Sequence, residues 1–85
     1  MSHFAAKIDR LIHDLKSQGE VYSVDTNQAW SDKLQKPAAL KTLYRTTQGK
    51  RDIILTTFSE VEIVRELMQR WNRATKHGRK LKKAN

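Results

Sequence analysis

With 85 residues the chain makes one domain at most, and at that length folding buries only about 60–65 % of the surface the unfolded chain exposes. It has no cysteine, so neither disulfides nor thiolate metal ligands supplement the core, which suits a reducing, cytoplasmic location. The net charge of +8 is unevenly placed: residues 1–66 hold ten Lys or Arg against nine Asp or Glu, whereas residues 67–85 hold seven against none. Apolar runs such as Ile53-Ile54-Leu55 fall far short of the ~20 residues of a membrane span. Residues 1–15 carry acids and bases throughout and no apolar signal segment. A membrane partner is therefore not expected.

The first predicted element is a helix, since Phe4, Ile8, Leu11, Ile12 and Leu15 recur at steps of three and four and share one face. Ser2 is placed to cap it and Gly19 to follow its end. Asp9, Arg10 and His13 make its other side a mixed, solvated surface. Residues 20–25 read as a short strand, with Val21 and Val24 flanking Tyr22 and Asp25-Thr26-Asn27 closing it. Over 26–36, Trp30 and Leu34 sit four apart and fit the inward face of a short helix capped by Asp25 or Thr26. Pro37 would forbid its continuation.

Residues 37–47 present a fork. Leu40, Leu43 and Tyr44 fit a helical face behind Pro37, which would make residues 26–46 a helix-turn-helix with a partial wing. Thr42, Tyr44, Thr46 and Thr47 favour a strand, and Gln48-Gly49-Lys50 looks like a turn, so a β-hairpin is the preferred reading. Its second strand spans 51–57, and the continuous Ile53-Ile54-Leu55 predicts burial on both faces. Ser59-Glu60-Val61-Glu62 then has the spacing of a capping box, with Phe58 and Ile63 as a hydrophobic staple. The helix it opens is expected to run to about Lys76 with Val61, Val64, Leu67, Met68 and Trp71 as its apolar stripe, and to end at Gly78. Glu60, Glu62 and Glu66 near its start and Arg70, Arg73 and Lys76 near its end complement the helix dipole, each well-placed charge worth about 0.3–1 kcal/mol. The predicted fold is α+β, with one small domain over 1–77 and a basic, flexible tail over 78–85.

On helical spacing, Arg70, Arg73, Lys76 and His77 form a basic ridge opposite the apolar stripe, leading into Arg79, Lys80, Lys82 and Lys83. A solvated face usually mixes signs, and this one does not. Phosphates lying along such a ridge would release counterions as Lys and Arg bind them. A second basic group, Arg45, Lys50 and Arg51, falls at the tip of the predicted hairpin, where a β-ribbon can clamp phosphate or probe a groove. Tyr22, Trp30 and Tyr44 offer ring faces for stacking, while Phe4 and Trp71 are expected in the core. For catalysis or metal binding the sequence offers only Asp9 and His13, four apart on a helix with no third ligand near them, and it has no phosphate loop, dinucleotide fingerprint or nucleophile elbow.

In element order the chain is similar to the double-stranded RNA-binding domain and to small ribonuclease toxins of the same outline. It departs from both in its residues. Ser59-Glu60-Val61-Glu62 stands where the former has lysines, and no histidine lies between His13 and His77 where the latter would need one in the sheet. The expectation is a non-enzymatic nucleic-acid-binding protein without a cofactor, contacting DNA or RNA phosphates. The alternative is a protein-interaction module, either a homodimer or a small subunit docking on an acidic partner.

Overall fold

The computed structural model describes residues 3–83, with side chains described through Thr75. The chain runs α1 (His3–Ser17), β1 (Val21–Ser31), β2 (Lys36–Thr47), β3 (Lys50–Thr57) and α2 (Glu60–Lys83). It is an α+β fold with a three-stranded antiparallel sheet in the order β1-β2-β3. Among the described residues no helix is long and apolar enough to cross a membrane. Ser2 as a cap lies outside the described residues. Assigned through Lys83, α2 passes Gly78, where the sequence reading ended it. One glycine inside a helix costs about 1 kcal/mol relative to alanine and does not by itself terminate it. The expected flexible tail over 78–85 falls where side chains are not described.

The end of α1 shows why a glycine follows it. The Gly19 amide donates to the Lys16 carbonyl at 3.0 Å and the Glu20 amide to the Leu15 carbonyl at 3.0 Å, the paired bonds of a Schellman motif. Gly19 has φ +87°, which an L side chain rarely adopts. At the start of α2 the predicted capping box is met in part: the Glu62 amide donates to the Ser59 backbone carbonyl at 3.2 Å, and the Glu62 side chain reaches the Ser59 amide only through Thr57. The Thr57 hydroxyl donates to the Glu62 carboxylate and accepts from the Ser59 amide at 3.0 Å. Phe58 stays 40 % exposed while Ile63 is fully buried.

The predicted hairpin is β2–β3, closed by Gln48 (φ 52°) and Gly49 (φ 80°), the two left-handed positions of a tight two-residue turn. Two sequence readings are corrected here. Residues 26–36 contain no helix: β1 continues to Ser31 and turns back at 32–35, leaving Trp30 and Leu34 at 58 % and 55 % exposure instead of facing inward. Nor is Ile53-Ile54-Leu55 buried on both faces, for Ile53 is 65 % exposed. A β-bulge opposite Leu43 and Tyr44 leaves Ile54 without a partner and turns Ile53 to the face that the helices do not cover.

Ile8, Leu11 and Leu15 of α1, Tyr22 and Leu43 of the sheet, and Ile63, Val64 and Leu67 of α2 form the core, with Ile12, Val24, Ile54, Leu55 and Trp71 packed around it. Trp71 thus packs against the core as expected, but Phe4 is 37 % exposed. The buried face of α2 is also rotated from the predicted stripe, because Val61 and Met68 are exposed. Ile63, Leu67 and Arg70 follow the i, i+4, i+7 spacing of one face, so Arg70 lies on the inner side and not on an outer ridge.

Candidate nucleic-acid interface

An arginine on a buried face needs partners for its five donors, and the fold supplies them. The Arg70 Nε donates to Glu66 one turn earlier at 2.8 Å, and its Nη1 donates to the Tyr22 hydroxyl at 3.1 Å. That hydroxyl donates in turn to Glu20 at 2.7 Å. The guanidiniums of Arg70 and Arg45 lie 5.5 and 5.9 Å from the centre of the Tyr22 ring, within the range of cation–π attraction. Burial pushes the Tyr22 phenol above its ordinary pKa, helped by its bond to Glu20 and opposed by Arg70. For Arg70, burial alone would lower the pKa, but the bonds to Tyr22 and Glu66 outweigh it and the net direction is up.

This network positions a basic recess. Glu20 from the α1–β1 junction, Arg45 from β2, and Arg70 and Arg73 from α2 line a hollow of about 120 Å³. Arg45 approaches Glu20 only at 4.0 Å, and its side chain is 43 % exposed. Arg73 is exposed and forms no ion pair with a described residue. Three cations face one carboxylate among the lining residues; Glu66 pairs with Arg70 beside them and Arg45 keeps a long contact with Glu20, so Arg73 is the exposed cation of the recess that has no ion pair with a described residue.

Three of the residues singled out from sequence are thereby brought together from separate elements: Arg45, Arg70 and Arg73. Lys50 is exposed at the β2–β3 turn. Arg51 stands apart from the recess, on the sheet face away from the helices, stacked 4.2 Å from the centre of the Tyr44 ring and paired with Asp25 at 3.4 Å. Lys76, Arg79, Lys80, Lys82 and Lys83 have no described side chains; in sequence they directly follow the recess residues of α2.

Sequence reasoning missed Lys33 and Lys36, at the β1–β2 turn, and Lys41, farther along β2 between Thr26 and Thr57. The signal for them was an uninterrupted β2 from Pro37 onward, whose partner strand had to be equally long. His13 is 84 % exposed beside Asp14, and among the described residues no three metal-ligating side chains cluster. A larger hollow of about 500 Å³ lies along α1, lined by His3, Ala6, Lys7, Arg10, Leu11 and Asp14. Comparison of the chain with protein-family models, curated proteins and solved structures found no match.

Proposed function

We propose that this protein is a non-enzymatic nucleic-acid-binding module that holds phosphate groups at the recess and along the basic stretch of α2 that follows it. The observation that carries this reading is the convergence of Arg45 and Arg73, from different elements, beside an Arg70 that is already fixed by Glu66 and Tyr22. Guanidinium groups match phosphate oxygens with two parallel donors, and one that is pre-positioned loses less freedom on binding. Phosphate contacts of this kind give affinity and position and carry no sequence choice.

The test is a set of anisotropy titrations with labelled duplex DNA, single-stranded DNA and RNA at several salt concentrations. The logarithm of the affinity should fall linearly with the logarithm of salt, with a slope of about −0.9 per duplex phosphate neutralised. Replacing both Arg45 and Arg73 with Gln should flatten that slope by about two. Removing residues 78–85 should flatten it further if the tail cations share the contact. No binding to any of the three probes at low salt would reject the reading.

A further inference from the structure

β3 pairs with β2 only from Lys41 to Thr47, so beyond Lys41 the β1–β2 pair continues as a two-stranded arm. Five pairs, from Asn27 opposite Leu40 to Ser31 opposite Lys36, make up this arm, about 17 Å at ~3.4 Å per residue. Its tip turns at 32–35, where the Gln35 amide donates to the Ser31 carbonyl at 2.7 Å and the Leu34 amide to the Ser31 hydroxyl at 3.2 Å. No core residue and none of the partly buried side chains packed on the core comes from residues 26–41. An isolated hairpin is marginal in water. The fold therefore maintains an arm that its own packing does not use.

The side chains of the arm define what it fits. At its waist Ala29 faces Ala38 and Gln28 faces Ala39, so the ribbon is slim where a protein-docking surface would carry large apolar groups. The major groove of B-form DNA, about 12 Å wide, admits a two-stranded ribbon, whereas the corresponding groove of A-form RNA is too narrow. Exposed Thr26, Asn27 and Gln28 bring hydrogen-bonding groups, and amide side chains pair in bidentate fashion with adenine. Lys33 and Lys36 at the tip and Lys41 at the base of the arm, opposite Thr26, outnumber the one acid of this stretch, Asp32, and supply cations for the phosphates on the groove walls. Trp30, 58 % exposed across from Pro37, adds an apolar surface suited to thymine methyl groups.

We infer that the β1–β2 arm inserts into the major groove of duplex DNA, an inference that rests on the nucleic-acid function proposed above and narrows it to the B-form duplex. Two measurements test it. The first compares wild type with the combined Lys33→Gln, Lys36→Gln, Lys41→Gln variant on a duplex of about 30 base pairs and on the matching single strand. The variant should bind the duplex about tenfold more weakly, with a salt slope flatter by two to three, and should lose much less on the single strand. The second uses Trp71→Phe, which leaves Trp30 as the sole tryptophan. Acrylamide quenching of Trp30 should fall several-fold when duplex is added.

Wild-type binding that the lysine variant leaves unchanged would overturn the arm inference while the nucleic-acid function stands. Equal losses on duplex and single strand would overturn groove insertion. Absence of binding to any nucleic acid would overturn both. Protection of Trp30 that follows protein concentration instead of added duplex would assign the surface to a second copy and overturn the inference as well. Should Trp71→Phe not fold, the lysine variant in the native background decides.

Discussion

β1 and β2 are one pair of strands in two environments. From Tyr22 to Val24 on one strand and at Leu43 on the other, they lie beneath the helices and carry the core. From Asn27 to Leu40 the same ladder runs into solvent with alanine, amides and an exposed tryptophan. The difference separates what makes a strand from what buries it. The body half is fixed by packing, the arm half by continuity of the ladder, by the Trp30–Pro37 pair and by a turn that satisfies its own amides.

The sharpest way to break this comparison is to delete one leucine from each half. Leu43→Ala removes a fully buried side chain from the central strand and should cost about 2–5 kcal/mol in urea unfolding. Leu34→Ala at the arm tip, 55 % exposed, should stay within about 0.5 kcal/mol. Similar losses at the two sites would mean that the arm packs on something in the folded chain.

Arg70 and Arg73 of α2 extend the comparison to the recess. Arg70→Gln leaves Glu66 and the Tyr22 hydroxyl without their charged partner and should cost about 1.5–3 kcal/mol. Arg73→Gln should cost less than about 0.5 kcal/mol and act on nucleic-acid binding instead. An effect between those two is expected at Gly19. A Cβ there would meet no atom within 4 Å, so Gly19→Ala should cost only the backbone strain of φ +87°, about 1 kcal/mol, and Gly19→Asn less.

The smallest effect is confined to alkaline solution. The folded pKa of Tyr22 lies above the unfolded value near 10. Its contribution is therefore complete below about pH 10 and is lost as pH rises through the higher folded value. Urea midpoints measured across that range should fall for wild type and stay flatter for Tyr22→Phe. A parallel fall in the two proteins would place the titrating group elsewhere.

Local signals were read correctly where one physical cause dominated. Gly19, the Gln48-Gly49 turn and the Ser59–Glu62 spacing each mark a backbone requirement, and each marks a real boundary. The misreadings fall where burial was inferred from apolarity. Trp30 and Leu34 have helical spacing but lie in solvent, and Ile53 sits in an apolar run but faces outward. Helical spacing puts Arg70 opposite a stripe that includes Val61 and Met68, both exposed in the fold, and nothing local in sequence reveals that Tyr22, 48 residues away, accepts its hydrogen bond. Of the candidate site, the arginines were visible as residues; their convergence depends on how α2 packs against α1 and β3.

The bulge at Ile54 has a consequence for how the gene tolerates insertions and deletions. Because one extra residue sits between Leu55 and Ile53, Arg51 pairs with Thr46 and Asp52 with Arg45. Removing Ile54 would bring Ile53 next to Leu55 and leave Leu55 opposite Leu43, Ile53 opposite Tyr44 and Asp52 opposite Arg45, the same partners on the same faces in a straighter strand. Arg51 would keep its place beside Tyr44 and Arg45 its acidic cross-strand neighbour, and the loss would be one side chain packed on the core. A deletion of three nucleotides at this codon would thus be absorbed by the strand without moving any charge of the hairpin to the other face.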